Sequence, residues 1–392
     1  MSVSTISRKT AIAGIGQTEF SKDSGRTELR LGIEAVQAAL KDCGLEPKDV
    51  DGMVTFTLDR NDEIDIARNM GIPELTFYSR VPHGGGAAGG TIHQAAMAVA
   101  TGMADVVVAY RAFNERSWYR YGIPRDRQPA PTADMVHYSW ITPFGLSTPA
   151  SWVAMFARRY MHEFGATSED LGRVTVADRK HAATNPDAFF YERPITLEDH
   201  QASRWIVDPL RLLDCCQESD GAVAIVVTST DRARDLPHPP ALIEGVSQGV
   251  SYEQWSMNSY YREIISDLPE MGLVARQLWD QSGVGPDDVG AAMLYDAFTP
   301  MVLVQLEEFG FCGRGEAKDF VADGGIEIGG NLAVNTNGGQ LGEAYIHGMN
   351  GIAEAVRQVR GTAVNQIDGL EHAIATGGTG VPTSAVLVGV DR

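Results

Sequence analysis

A glycine-rich stretch at residues 335–351 carries two polar side chains suited to chemistry, Tyr345 and His347. Glycine permits positive φ angles and lets a ligand approach the backbone closely. A helix that starts after the stretch would offer free N–H groups, which suit a carbonyl oxygen or an anion. The stretch therefore predicts a ligand-binding loop, although glycines that serve only packing would give the same pattern.

The elements around this loop can be predicted from hydrophobic periodicity. Apolar residues at helical spacing follow the loop at 352–359, so we expect it to enter a helix. Apolar runs typical of buried strands occur at residues 10–15, 52–57, 104–110, 221–228 and 384–390. Segments typical of helices occur at residues 29–40, 91–101 and 151–164.

An internal repeat links the two ends of the chain. Residues 39–54 combine a helix end, a glycine, a proline, an Asp-Val pair and an apolar strand, and residues 278–293 show the same features in the same order. The first strand also has a counterpart at residues 241–246. We therefore expect a duplicated α/β domain, the alternative being chance similarity between two common helix–strand loops.

Two motifs fit well-known sites but lack the necessary context. Gly84, Gly86 and Gly89 match the dinucleotide-binding fingerprint, yet they do not follow the first strand of a βαβ unit. Residues 245–249 match a nucleophile elbow around Ser247, yet no apolar helix follows them. Neither nicotinamide binding nor serine hydrolysis is therefore favoured.

Two further segments have more than one interpretation. Cys215 and Cys216 suit buried packing better than a nucleophilic role. The run at residues 116–127, rich in arginine and tyrosine, is either a solvated face or a source of cations for an anionic ligand. The sequence leaves this second choice open.

The composition limits the class of partner. The chain has 392 residues and a formal net charge of −19, which argues against nucleic acid and anionic membranes because both require basic faces. Four cysteines are too few for a disulfide framework in a chain of this length. With no zinc-type spacing, no signal peptide and no apolar run of membrane-spanning length, we expect a cytoplasmic protein without a membrane span or a metal site.

With both halves in view, the chain resembles the thiolase superfamily, specifically its sterol-carrier-protein and lipid-transfer-protein branch. Residues 104–109 and 219–222 are similar to core segments of that family, and residues 337–339 to its Asn-x-x-Gly-Gly region. Residues 295–298 stand where thiolases have Asn-Glu-Ala-Phe. Tyr345 stands where they have the histidine of Gly-His-Pro.

The chain departs from this family at both catalytic cysteines. The nucleophilic cysteine falls at about Gly85 and the second cysteine at about Ala375. Acyl-enzyme formation and cysteine-based proton abstraction both need a thiolate, so the resemblance does not imply a working thiolase.

One group of the family shares this pattern, the bacterial aldolases that remove the last side-chain fragment in sterol degradation. Tyr295 and Tyr345 resemble the tyrosine pair of those enzymes. The resemblance implies retro-aldol cleavage of a 17-hydroxy steroid acyl-CoA to a 17-ketosteroid and propionyl-CoA. This reaction needs a base for the hydroxyl proton and a donor for the thioester enolate, but no covalent intermediate, cofactor or metal.

Either tyrosine could be the base and the other the acid, and the choice between these two assignments is nearly even. We favour Tyr345 as the base, because the surrounding glycine N–H groups and His347 could stabilise its phenolate. Two other functions stay open: a non-catalytic acyl-CoA or sterol-binding protein, and an acyltransferase with an unusual nucleophile.

The resemblance also implies an architecture and partners. It implies an α/β thiolase fold with two duplicated α-β-α-β-α halves, at residues 1–112 with 201–238 and at 239–392, and an inserted loop domain at 113–200. It implies a homodimer bound to a small acyl-CoA-associated subunit with an OB fold and a zinc ribbon, giving a heterotetramer. Supporting roles fall to His347 and Asp296, and substrate-binding roles to Asn337, Gly338, Gly339, Gly377, Gly378 and Gly85.

Overall fold

The structure, a computed structural model, describes residues 6–118, 139–255, 257 and 259–392. Parts of the predicted regions lie outside these ranges, among them residues 119–138 of the inserted loop domain and 119–127 of the arginine- and tyrosine-rich run. Within the described ranges, no helix combines the length and the apolar character needed to cross a membrane.

The described strands form one ten-stranded sheet and one two-stranded sheet. They are β1 (Thr10–Gln17), β2 (Gly52–Phe56), β3 (Phe77–Val81), β4 (Val106–Asn114), β5 (Trp205–Val207), β6 (Leu210–Arg211), β7 (Asp220–Ser229), β8 (Ala241–Gly249), β9 (Ala291–Met293), β10 (Ala333–Val334), β11 (His372–Thr376) and β12 (Thr383–Val390). The large sheet has the order β10-β9-β11-β12-β8-β1-β7-β4-β2-β3. Each half of the chain therefore supplies one side of the sheet, and β1 pairs antiparallel with β8 at the junction.

The helices cover both faces of this sheet. They are α1 (Glu28–Cys43), α2 (Glu63–Met70), α3 (Ala88–Ala100), α4 (Pro149–Phe164), α5 (Ser168–Thr184), α6 (Leu197–Ala202), α7 (Thr230–Arg234), α8 (Pro269–Ser282), α9 (Thr299–Glu308), α10 (Ala317–Phe320), α11 (Gly339–Gly342) and α12 (Met349–Arg360). In β4, Val107 and Ala109 pack in the core cluster that contains α3 and α12. The intervening Val106 and Val108 pack in the cluster that contains α1. Alternate residues thus enter different cores, which explains the continuous apolar run of this strand.

The predicted internal repeat is confirmed by the geometry of both copies. Helix α1 ends at Gly44 with a φ of 70°, and helix α8 ends at Gly283 with a φ of 73°. A short 3₁₀ turn that begins at a proline follows each helix, at Pro47–Asp49 and Pro286–Asp288. Strands β2 and β9 come next, so the same local rules of helix termination act in both halves.

One local prediction needs correction. The glycine-rich stretch is not a loop throughout, because the short helix α11 lies within it. Strand β4 continues to Asn114, past the expected domain boundary at residue 112. Its last residues pair with β7, from Arg111↔Val223 to Asn114↔Asp220, so the sheet itself carries the chain beyond that boundary.

Candidate active site

Two tyrosines from the second half meet beyond the carboxyl end of β9. Tyr295 follows β9, and Tyr345 lies between α11 and α12. Their hydroxyl oxygens are 3.2 Å apart, which is hydrogen-bonding distance. Both side chains line a cavity of about 680 Å³, together with Gly85 and His347. The structure thus brings together the two residues that the sequence selected.

The backbone of Tyr295 is fixed by two neighbouring elements. Its N–H donates to the Thr376 hydroxyl of β11 at 2.9 Å and to the Gln305 amide oxygen of α9 at 3.2 Å. The Gln305 amide nitrogen donates back to the Tyr295 carbonyl at 2.8 Å. These bonds hold the peptide just beyond a strand end, where a side chain can project from the sheet.

The ring of Tyr295 occupies a slot whose walls are glycines. A Cβ atom added to Gly85 would lie 1.7 Å from the tyrosine hydroxyl oxygen, and one added to Gly378 would lie 2.6 Å from ring atom Cε1. A Cβ at Gly348, whose φ is +86°, would lie 3.2 Å from ring atom Cδ2. The phenol therefore fills the space into which a side chain at position 85 would project.

Residues of the first half of the chain contact Tyr345 and position it. Its backbone N–H donates to the Ser219 hydroxyl at 3.1 Å. Its ring meets that of His347 edge-on, with centroids 4.9 Å apart, and that of Phe113 at 6.3 Å. Tyr345 is therefore oriented partly by β4 and by the segment before β7.

Both phenols are protonated in the resting site. Burial raises the pKa of Tyr295 well above its ordinary value, while the hydrogen bond with Tyr345 opposes this rise. Burial also raises the pKa of Tyr345, and there the neighbouring Tyr295 adds to the rise. The shared hydrogen bond therefore acts in opposite directions on the two pKa values.

His347 is neutral and tightly placed. Its backbone φ is +53°, an uncommon value for a residue with a side chain. Its ring stacks on Phe113 at 5.1 Å, and its Nδ1 accepts a hydrogen bond from the Arg111 guanidinium at 3.0 Å. Burial first, and then the charge of Arg111, lower the pKa of His347 well below its ordinary value. His347 therefore supplies no positive charge to a Tyr345 phenolate.

Asp296 lies behind the cavity instead of facing it. Its buried carboxylate accepts hydrogen bonds from the backbone N–H groups of Gln340 and Leu341 at 2.8–2.9 Å, at the start of α11. Gly339, with a φ of +60°, makes room for it, since a Cβ there would lie 2.3 Å from the carboxylate. Burial raises the pKa of Asp296, and the N–H donors oppose that rise. Its role is to anchor the glycine-rich stretch.

The other predicted substrate-binding residues fall into two groups. Asn337 donates to the buried Glu343, and Gly338, at a φ of +107°, packs against Ala182 of α5. Neither these residues nor Gly339 is among the described residues that line the cavity. Gly377 and Gly378 lie beside Gly85, whose carbonyl accepts the Gly378 N–H at 3.1 Å. Gly85 itself lines the cavity.

Sequence reasoning missed several residues of the site. Arg111, Phe113 and Glu115 contact the His347 side of the site or line its cavities. Arg111 could have been noticed in the sequence, because it is a charged residue within the buried strand β4. The large cavity is also lined by four cationic side chains, which are Lys22, Arg116, Arg179 and Arg204. No motif marked them as a group.

Cys215 and Cys216 line the cavity, which the packing prediction did not anticipate. Burial raises the pKa of Cys215 to about 12 and raises that of Cys216 well above its ordinary value. Both thiols are therefore protonated near neutral pH and are poor nucleophiles. Among the residues that the structure describes, no three His, Cys, Asp or Glu side chains converge as metal ligands do.

The two rejected motifs have structural roles. Gly89 lies in α3, where a Cβ would be 2.8 Å from the backbone of Ala385, so this glycine permits close packing of α3 on β12. Ser247 is buried in β8 and hydrogen-bonds Gln277 of α8. Neither forms the turn that its motif requires.

Comparison with known proteins agrees with this architecture. Residues 9–231 match the thiolase N-terminal domain family, and residues 258–389 match the family described as thiolase C-terminal domain-like. The solved human mitochondrial 3-ketoacyl-CoA thiolase shares the fold, with a TM-score of 0.70 at 16% identity.

Three relatives are much more similar to the chain. A steroid side-chain-cleaving aldolase from Thermomonospora curvata is 70% identical, covering 97% of this chain and 98% of its own. The 17-hydroxy-3-oxo-4-pregnene-20-carboxyl-CoA lyase of Mycobacterium tuberculosis is 65% identical, covering 98% of this chain and 100% of its own. The solved Ltp2-ChsH2(DUF35) aldolase is 68% identical with a TM-score of 0.95, covering 99% of this chain and 100% of its own. The chain therefore belongs to the thiolase superfamily, in the group that contains the steroid side-chain-cleaving aldolases.

Proposed function

We propose that this chain is an aldolase that cleaves a 17-hydroxy steroid side-chain acyl-CoA into a 17-ketosteroid and propionyl-CoA. The observation that carries the proposal is the Tyr295–Tyr345 pair, 3.2 Å apart at the position where the cysteine has become Gly85. Support comes from two relatives at 70% and 65% identity that are named for this type of cleavage. The residue types also fit: two phenols are suited to moving protons, and no thiolate is available at Gly85 or Ala375.

The reaction balances with two proton transfers. A base removes the proton of the 17-hydroxyl group, and that oxygen forms the new ketone as the bond from C17 to the thioester α-carbon breaks. The electron pair moves to the α-carbon and the thioester carbonyl, giving an enolate. An acid then protonates the α-carbon, so that the two products together contain all the atoms of the substrate.

We assign the base to Tyr295 and the acid to Tyr345, which reverses the preference drawn from sequence. The hydrogen bond between them opposes the rise in the pKa of Tyr295 but adds to that of Tyr345. A phenol that ionises more easily suits the base, and one that keeps its proton suits the acid. Tyr345 can pass its proton to the enolate and regain one through the shared hydrogen bond.

The cavity suits both ends of such a substrate. Apolar side chains such as Leu58, Ile206 and Leu212 line it and can contact a steroid ring system. Lys22 and Arg179 lie in the same cavity, in a chain whose net charge is −19. Burial lowers the pKa of Lys22 to about 8, which leaves most of it charged at neutral pH. We assign the CoA phosphates to the cationic side chains that line the cavity.

The assembly proposed is a homodimer with a second, smaller subunit. Strand β3 ends the sheet, pairs only with β2 among the described strands, and exposes 71% of Tyr78. An open sheet edge of this kind favours pairing with a second copy across a two-fold axis. The similar solved aldolase is named as an Ltp2-ChsH2(DUF35) pair. For this chain we propose a comparable partner with an OB fold and zinc ribbon, and a cytoplasmic location.

The test is a cleavage assay on the chain co-expressed with its partner. The substrate is 17-hydroxy-3-oxo-4-pregnene-20-carboxyl-CoA, and both products are measured by mass spectrometry. In deuterium oxide, propionyl-CoA should gain one deuterium at its α-carbon, because the acid exchanges its proton with solvent. The matched control is the same thioester without the 17-hydroxyl group, which cannot be cleaved by this route.

Each outcome separates the candidate functions. Formation of both products supports the aldolase. Tight binding without cleavage would favour a non-catalytic acyl-CoA or sterol-binding protein. Acyl transfer that stops when one thiol is blocked would favour an acyltransferase, although the protonated Cys215 and Cys216 thiols argue against it.

A further inference from the structure

Three side chains, Asp59, Arg111 and His347, are joined by hydrogen bonds in a row that ends at the cavity. Asp59 accepts a hydrogen bond from the Arg111 guanidinium at 2.9 Å. The Nε–H of Arg111 in turn donates to Nδ1 of His347 at 3.0 Å. Asp59 and Arg111 are almost fully buried, and His347 lines both the large cavity and a smaller one of about 220 Å³.

This contact decides which nitrogen of His347 carries the proton. An arginine Nε–H can only donate, so Nδ1 must be the acceptor. The neighbouring guanidinium charge and burial both disfavour a second proton on the ring. The single proton therefore lies on Nε2, and His347 is a neutral hydrogen-bond donor of fixed tautomer.

The donor atom lies at the same glycine turn as the base. A Cβ added to Gly84 would lie 2.9 Å from His347 Nε2, just as one added to Gly85 would meet the Tyr295 hydroxyl. Gly84 and Gly85 both line the large cavity. The two glycines let both side chains approach this turn, and Tyr295 and His347 line the same cavity. A substrate bound in that cavity can place its 17-hydroxyl group near Tyr295 and its thioester oxygen near His347.

We propose that His347 donates its Nε2–H to the thioester oxygen of the substrate as the enolate forms, with Arg111 and Asp59 as positioning residues. This inference rests on the proposed aldolase function. The developing oxyanion is a much stronger acceptor than a ground-state carbonyl, so the bond strengthens in the transition state. The positive φ of His347 is consistent with a side chain that the site holds in place for this purpose.

Two substitutions of His347, by glutamine and by asparagine, provide a matched test because both introduce an amide that can donate a hydrogen bond. In His347→Gln the amide nitrogen is as many bonds from the backbone as Nε2, whereas in His347→Asn the amide is placed as Nδ1 is. We expect His347→Asn to lower kcat by roughly 10²–10³-fold, the usual effect of removing one such donor. His347→Gln should retain at least about tenfold more activity than His347→Asn, and substrate affinity should change little in either.

A merely structural histidine predicts the reverse order. Asparagine can still accept from Arg111 and tolerates positive φ better than most residues, so it would then be the better replacement. If His347→Asn equals or exceeds His347→Gln while both fold and dimerise, the proposal is overturned. If the unchanged protein cleaves no substrate at all, it is the aldolase function that fails.

The tautomer can be measured without any substrate. With ¹⁵N-labelled histidine, magic-angle-spinning NMR of the complex should show a neutral Nε2–H ring near pH 7, identified by its loss in His347→Gln. Arg111→Lys retains a donor and should preserve this signal, while Arg111→Met should allow both tautomers. A proton on Nδ1, or a doubly protonated ring at pH 7, would contradict the assignment.

Discussion

The hydroxyls of Tyr295 and Tyr345 hydrogen-bond each other at 3.2 Å, although the two residues are fifty positions apart and lie at the ends of different elements. Because burial keeps both protonated, the pair can pass a proton between its members only when a substrate supplies or accepts one. Tyr295→Phe and Tyr345→Phe keep the rings and remove one hydroxyl each.

We expect each of these variants to lose at least ~10²-fold in cleavage rate, since acid–base groups typically contribute 10²–10⁴-fold. Both should still dimerise and bind acyl-CoA, because ring packing is unchanged. Steady-state cleavage and calorimetric binding on the same preparations check this. Near-normal rates in both variants would refute the proposed mechanism.

A side chain at position 85 should be incompatible with Tyr295. Gly85→Cys places a Cβ atom where the phenol lies, so we expect it to destabilise the protein or displace the tyrosine, with loss of cleavage. Combining it with Tyr295→Asn should restore thermal stability but not aldolase activity. A crystal structure of Gly85→Cys with Tyr295 unmoved would contradict this account.

Glu343 should make stability depend on pH. Burial raises its pKa from 4.5 to about 7. Between these values the unfolded chain releases a proton that the folded chain keeps, so the free energy of unfolding falls as pH rises through this window. Glu343→Gln has no carboxyl proton to release, so its free energy of unfolding should not fall in this way. Measured relative to wild type, that free energy should rise by up to roughly 3 kcal/mol between pH 4.5 and 8.

Urea unfolding at fixed protein concentration measures this difference. Glu74→Gln, at an exposed position, is the matched control and should show no such trend. A Glu343→Gln difference that does not vary with pH would show that Glu343 ionises alike in both states.

The cysteines should be dispensable for turnover. Burial raises the pKa values of Cys43, Cys215, Cys216 and Cys312, so thiolates are scarce near pH 7. Single serine replacements should lower the melting temperature where packing is tight, as at Cys43, yet leave kcat within a few-fold of wild type. Loss of turnover in a folded Cys216→Ser variant would reopen the acyltransferase hypothesis.

The exposed edge strand should carry the dimer. Tyr78→Arg places like charges near the proposed two-fold axis and should produce monomers in sedimentation velocity at micromolar concentration. Val364→Arg is the matched control, since Val364 is also an exposed apolar residue but lies in the second half. A dimer that survives Tyr78→Arg would place the interface elsewhere.

The sequence was informative where local rules determine structure. Gly44 and Gly283 mark helix ends because both adopt left-handed φ angles, and this made the repeat visible. Tyr295 and Tyr345 could be selected because their positions within family motifs fix their place in the fold.

The sequence was uninformative where function depends on distant contacts. The bond between Arg111 and His347 spans 236 positions. The identical type of reasoning also placed Asn337 and Gly339 at the substrate, because a glycine that admits a ligand and one that admits the buried carboxylate of Asp296 look the same in sequence.

The space left by Gly85 also constrains how such a protein can evolve from a cysteine enzyme. The Tyr295 phenol and a side chain at position 85 would occupy the same space, so the cysteine side chain must be lost before the tyrosine is gained. The intermediate sequence would have neither activity. A return to thiolase chemistry is equally hindered, because restoring cysteine first would collide with the phenol, and the new function is protected from simple reversion.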